Sequence, residues 1–237
     1  MNFQNDCEFY CVSYNNPEKS KIMKERFMHF GIDLHIHGVQ HDDYRLIGGD
    51  VAHQRLSSCF YGHIDNIKSF YQTGKKYGFI CEDDIHIHRD FGILLPKIIE
   101  HFETMQLDIL LLGYMTIYPI KNRHTGFDYM MNYDPMRKYQ YHAYPEDLWG
   151  IHLAMLSRDY AKKIIDTFDN QYAFRTLFDS SLTPANPDWT ITKLTKKRAL
   201  IYPMLAVEDG KGVYEHLGQR YFHQNSHKFN YIPDMFV

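Results

Sequence analysis

Tyr77-Gly78-Phe79-Ile80-Cys81-Glu82-Asp83-Asp84 is the stretch whose reading decides the fold. Its first five residues read as a short apolar strand, and the strand stops abruptly in three consecutive acids. Neighbouring carboxylates repel one another and are costly to bury without counterions. A divalent cation removes that cost. Hard cations such as Mn2+ or Mg2+ prefer oxygen ligands, and phosphate oxygens can complete their shell. Ligands of α/β proteins bind at the carboxyl ends of sheet strands, which is where these acids fall. The run by itself supports a cation site; the plain alternative is a strand end with solvated acids. If the chain stays extended, Glu82, Asp84, His86 and His88 share one face and Asp83 points the other way.

Towards the N-terminus, Glu8 to Tyr14 is an apolar, β-rich run that ends at Asn15-Asn16-Pro17, a turn followed by a helix start. A helix over 18–30 follows, with Ile22, Met23, Arg26, Phe27 and Phe30 on one stripe and Gly31 at its end. Residues 32–39 alternate as a second strand, which makes a β-α-β opening. Residues 41–50 read as a loop. A long helix over 51–73 leads into the acidic strand, with His63 on its apolar face as a core residue.

Towards the C-terminus, a helix over 91–105 precedes a fully buried strand at 108–113. Residues 114–147 are aromatic and polar, hold three prolines, and read as irregular strands and loops. Ile151 to Leu156 reads as a strand, and Ser157 is placed to cap a helix over 158–168. Residues 171–187 are loop-like, a short helix spans 188–197, and a late strand spans 199–203. The tail from Met204 to Val237 shows no periodicity. The expected fold is α/β, a single mixed, mostly parallel sheet flanked by helices.

A chain of 237 residues fits one compact domain. The 44% hydrophobic content can fill a core, and 19 Tyr and 16 Phe leave rings over for clefts. A net charge of -3 without any long Lys/Arg run excludes a nucleic-acid polycation. The N-terminus lacks an apolar signal core, and no segment approaches the roughly 20 apolar residues of a membrane span. Cytoplasmic action is the expectation. Cys7, Cys11, Cys59 and Cys81 read as small buried hydrophobes.

Five segments, in order, resemble glycosyltransferase family 25. They are Cys11-Val12-Ser13-Tyr14-Asn15; Ser58-Cys59-Phe60-Tyr61-Gly62-His63-Ile64; Ile80-Cys81-Glu82-Asp83-Asp84-Ile85; Asp108-Ile109-Leu110-Leu111-Leu112-Gly113; and Trp149-Gly150 with Leu156-Ser157-Arg158-Asp159-Tyr160-Ala161. The resemblance covers roughly residues 8 to 205 and implies a GT-A-like fold. It departs at Gly62, where the family often has Ser, and in the basic residue after the first strand, for which Lys19 and Lys21 are candidates.

The resemblance implies a metal-dependent glycosyltransferase. Its nucleotide-sugar donor, UDP-linked by the same resemblance, gives a sugar to a hydroxyl of a glycan or protein acceptor. About 1–113 would form the nucleotide-sugar half and about 114–237 the acceptor half and tail. Glu82 and Asp83 would contact the donor, with Ser13, Tyr14 and Asn15 near the base. Asp84, Glu82 and His216 would hold Mn2+ or Mg2+, with His223 and His227 as alternatives to His216. Asp188 is the candidate base and Asp147 the second candidate. Asp is also a good helix N-cap, the plain reading of Asp188. Trp149 would stack on a sugar face or simply fill core. Two other readings stay open: a metallohydrolase on Asp84, His86 and His88, and a non-catalytic GT-A-like binding module. The sugar, the acceptor, the stereochemical outcome and the oligomeric state are not decided by the sequence.

Overall fold

The computed structural model describes residues 3–40, 42–46, 51–120, 136–212 and 216–237. After a helical turn (α1, Phe3–Asp6) comes β1 (Cys7–Val12). Helix α2 (Pro17–Met28) starts where Asn16 Oδ1 accepts from the Lys19 amide at 3.0 Å, with proline in the first position. It ends before Gly31, at φ 68°, and the chain turns back into β2 (His35–His37). Helix α3 (Val51–Gln72) precedes the acidic strand β3 (Tyr77–Glu82), a short β4 (Ile85–Ile87) and helix α4 (Phe91–Thr104).

The second part holds β5 (Ile109–Met115), β6 (Gln140–Ala143) and β7 (Trp149–Ser157). Ser157 caps α5 (Arg158–Thr167), its side chain accepting from the Tyr160 amide. Then follow α6 (Tyr172–Arg175), α7 (Pro187–Lys193), β8 (Arg198–Tyr202), β9 (Ala206–Glu208) and α8 (Leu217–Asn230). Two of these differ from expectation: β9 and α8 lie in the tail read as aperiodic, while β6 falls in the stretch read as irregular strands and loops. In α8 only Ser226 is buried, so there is no apolar stripe to read.

Seven strands form one sheet in the order β2-β1-β3-β7-β5-β8-β6. β1 pairs parallel with β2 and β3, and β5 with β8. β7 runs against both of its neighbours, β3 and β5, and β6 runs against β8. Five strands therefore share one direction, and the sheet is mixed as expected, with parallel and antiparallel pairings equal in number. A second, two-stranded sheet pairs β4 with β9.

Strand side chains alternate between two cores. Tyr10, Ile80, Leu111 and Ala154 face one core with Phe60, Ile64 and Ile67 of α3 and Tyr160 and Ile164 of α5. Phe9, Phe79, Leu110 and Met155 face the other with Met23 and Phe27 of α2 and Ile98 and Phe102 of α4. Helices thus cover both faces. Gly62 sets how closely α3 approaches β1, because a Cβ there would stand 2.8 Å from Val12 Cγ1. Among the described residues no helix is long and apolar enough to cross a membrane.

Candidate functional site

The register of the sheet builds the site. Val12 pairs with Glu82, so the carboxyl ends of β1 and β3 lie side by side. The next residue of β1's chain, Ser13, donates from Oγ to Asp83 Oδ2 at 2.7 Å. Lys19, in the first turns of α2, reaches Asp83 Oδ1 at 3.1 Å and Asp84 Oδ2 at 3.5 Å. Lys21 lies exposed beside Glu25, so Lys19 is the basic residue that joins the acids.

The antiparallel β7 adds a partner that spacing alone does not reveal. Cys81 pairs with Leu153, and one residue on, His152 meets Glu82, Nδ1 to Oε2 at 3.2 Å. Pairing of β4 with β9 sets Ile85 opposite Glu208. The Glu208 carboxylate lies 3.8 Å from His152 Nε2 and 2.6 Å from His223 Nδ1 of α8. Its other oxygen, Oε1, is buried with no hydrogen-bond partner among the described residues.

The chain does not stay extended through the acids. It turns at Asp83-Asp84 before β4 begins, and the Asp209 amide fastens the turn to the Asp84 carbonyl at 2.6 Å. The single face expected for Glu82, Asp84, His86 and His88 is therefore broken. His86 lies against Arg26 and the Tyr231 ring, and burial with the Arg26 charge pushes it down to about 4. His88 accepts from the Asp90 amide and meets the Phe236 ring edge-on. Neither histidine joins Asp84.

A cavity of about 640 Å³ opens over these groups. Glu82, Asp83, Asp84, Asp188 and Glu208 all line it, as do Lys19, Tyr14 and His152. Asp188 sits in the first turn of α7, but the cap of that helix is Asn186, whose Oδ1 accepts from the Asp188 amide at 2.9 Å. The Asp188 carboxylate is thus not the cap. Of the three residues after β1, Tyr14 lines the cavity, Ser13 is buried against Asp83, and Asn15 takes the positive φ of 47° that turns the chain into α2.

Burial and neighbouring charges shift these groups. Burial and then the Glu82 charge push Asp84 up to about 6 against the pull of Lys19. Burial and Glu82 likewise push Asp188 up to about 6. Burial also works against Glu82, but the His152 hydrogen bond and the nearby His63 ring hold it well below the ordinary carboxylate range. Burial disfavours the His152 imidazolium, yet the Glu82 bond and the charges of Glu208 and Asp84 raise it to about 9. Glu82 and His152 are an ion pair at neutral pH.

A neighbouring cavity of about 510 Å³ is lined by Tyr118, Asp147, Trp149, His216 and Phe222, and shares Met115, Trp149, Gln219 and His223 with the first. Asp147 and His216 therefore lie in this second cavity and not among the acids. Trp149 is half exposed and meets Trp189 edge-on, ring centres 5.1 Å apart. Part of the tail motif before His216, Val213 to Glu215, lies outside the described residues.

Below the acids is a group suited to a metal. Cys59 Sγ, a His63 ring nitrogen and a Glu82 oxygen lie within 4.8 Å of one another. His63 is indeed buried on the core side of α3, as expected, but it faces Glu82 Oε1 at 3.8 Å. The acidic cavity also suits a cation, given its buried, unpartnered Glu208 oxygen and the raised Asp84.

Fold and site together define a mixed α/β protein with an acidic cavity at the carboxyl ends of its strands. No known family model matches the chain, and no curated protein matches it. Among solved structures it is similar to A197 from STIV, at 11% identity and TM-score 0.40, covering 82% of this chain and 80% of that one. It is similar to a glycosyltransferase involved in the glycosylation of the major capsid of PBCV-1, at 8% identity and TM-score 0.38, over 92% and 98% of the two chains. A third is a protein provisionally assigned as a glucose-1-phosphate thymidylyltransferase from Bacillus anthracis, in complex with a sucrose. There the identity is 8% and the TM-score 0.38, over 94% of this chain and 77% of that one. At such TM-scores these likenesses carry no weight on chemistry.

Proposed function

We propose that this chain is a metal-dependent glycosyltransferase that moves a sugar from a nucleotide-sugar donor, UDP-linked, to a hydroxyl of a glycan or protein acceptor. The observation that carries this reading is the convergence of Glu82, Asp83, Asp84, Asp188 and Glu208 on one cavity with Lys19 among them. A cavity lined by five carboxylates suits a bound Mn2+ or Mg2+ together with phosphates. The resemblance of the five sequence segments supports the sugar chemistry.

Asp84 and Glu82 would hold the metal, with an imidazole from α8. His216 was the expected third ligand, but His223 lines the acidic cavity and is the better placed. A divalent cation there offsets charge on a diphosphate leaving group. Lys19 can leave Asp83 and Asp84 for the donor phosphates. Ser13 holds Asp83 in place, and Tyr14 offers a ring to the base. Asp188, raised to about 6, suits a general base that takes the acceptor proton, since a base works best near the operating pH. The aromatic cavity beside it, with Trp149 and Asp147 on its wall, suits a sugar acceptor, because rings cover sugar faces and carboxylates bind hydroxyls.

Thermal-shift titration with UDP-sugars, with and without Mn2+, tests the reading. Stabilisation by nucleotide that grows with Mn2+ is expected. No metal-linked stabilisation by any nucleotide would sink it.

A further inference from the structure

The sequence reads Cys59 as a small buried hydrophobe and His63 as a core residue, and the proposed transfer uses neither. They are four residues apart on α3, so both project from one helix face. That face meets the end of β3. Cys59 Sγ stands 3.9 Å from Glu82 Oε1, and His63 Nε2 stands 3.8 Å from the same oxygen. Tetrahedral zinc, with bonds of about 2.0 Å to nitrogen or oxygen and 2.3 Å to sulfur, sets its ligands ~3.3–3.8 Å apart. The two separations to Glu82 are already within about 0.5 Å of that spacing, and the three donor atoms all lie within 4.8 Å of one another.

A second observation points to a ligand. The His63 side chain is fully buried, and neither ring nitrogen has a hydrogen-bond partner among the described residues. A buried imidazole left in this way loses the hydrogen bonds that water would have supplied. Its Nε2 faces Glu82 Oε1 at 3.8 Å, and a ring nitrogen lies within 4.8 Å of the Cys59 sulfur.

We propose that Cys59, His63 and Glu82 form a binding site for a zinc-class transition metal, adjacent to the proposed Mn2+ or Mg2+ site at Asp84 and sharing the Glu82 carboxylate with it. A thiolate, an imidazole and a carboxylate favour zinc or cobalt, whereas manganese and magnesium favour oxygen. Glu82 can serve because its two oxygens face different ways: Oε1 towards Cys59 and His63, Oε2 towards His152 Nδ1. His152 then orients the carboxylate ligand from behind, as outer partners of metal sites commonly do. Binding transfers the Cys59 thiol proton to solvent and leaves the thiolate on the metal. Cys59 and Glu82 also line the acidic cavity, so the fourth position opens there to water or a ligand oxygen.

The test is cobalt substitution in the full chain, stripped with a chelator and given Co2+ alone. About one equivalent of Co2+ should bind with the intense visible bands of a four-coordinate ion and a thiolate-to-cobalt charge-transfer band in the near ultraviolet. Cys59→Ser, which keeps the size and a hydroxyl toward Glu82, should lose the charge-transfer band. His63→Gln should weaken Co2+ binding at least about tenfold, and Zn2+ should displace the Co2+ where excess Mn2+ does not. No charge-transfer band in the wild-type chain would overturn the proposal. So would a band undiminished in Cys59→Ser, or displacement by equimolar Mn2+. The wild-type spectrum and Cys59→Ser decide the question even if His63→Gln fails to fold. None of these readouts involves a nucleotide, so the site and the sugar-transfer reading fail independently.

Discussion

At the scale of single residues, Asp84 and Asp188 are the informative pair. Both are raised to about 6 by burial and by Glu82, yet they are assigned different work. Asp84→Ala should abolish turnover together with Mn2+-linked stabilisation by nucleotide, while the melting curve without ligand stays cooperative. Asp188→Asn should keep the metal-linked stabilisation and lower kcat by about 10²–10⁴-fold. Equal loss of nucleotide binding in both variants would argue against the division. The pH profile adds a sign. As pH falls through about 6, Asp188 takes up a proton and can no longer serve as the proposed base. The rate should then fall on the acid side and level off above, with the limb drawn lower when a cation occupies the neighbouring carboxylates. An acid limb of kcat/KM that survives unchanged in the residual activity of Asp188→Asn would remove that assignment.

At the scale of elements, caps and register decide what could be read. The starts of α2 and α5 were legible because Asn16-Pro17 and Ser157 each carry a local hydrogen-bonding signal. Ser157→Ala should cost about 1 kcal/mol of stability by loss of the bond to the Tyr160 amide. Its activity under folded conditions should match the parent, since Ser157 closes the far end of β7 from the cavity. Denaturant melts measure this, and no change in midpoint would mean the cap is idle. The strand that ends in Glu82-Asp83-Asp84 was also legible. Its partners were not. His152 reaches Glu82 only through the antiparallel pairing of β7, and Glu208 arrives only through the pairing of β4 with β9. The one local sign was a histidine inside the apolar run Ile151 to Leu156, where an imidazole is costly unless paired. The turn at Asp83-Asp84 could not be read either, because both residues suit a turn and an extended end alike.

At the scale of the whole molecule, stability should depend on acid through buried histidines. His142 is 1% exposed on β6, and burial holds it down to about 4 from an ordinary 6.5. The unfolded chain therefore binds its proton first. The contribution to stability is complete above about pH 6.5 and is lost as pH falls towards 4, by at most about 3 kcal/mol. His86 adds in the same direction. Replacing His142 with Leu should narrow the difference in denaturant midpoint between pH 7 and pH 4.5. A difference as wide as the parent's would exclude His142 as a source.

The reversed strand in the middle of the sheet also bears on how the molecule is made. β7 lies between β3 and β5 and pairs with both. A ribosome delivers β3 and β5 well before Trp149–Ser157 emerges, so each waits with an unpaired edge of apolar backbone. Such edges invite wrong pairing. Once β7 slots in, it closes both edges in one step and brings His152 to Glu82. Asp188 and Glu208 come later still, so the cavity is completed only when the last quarter of the chain has been added.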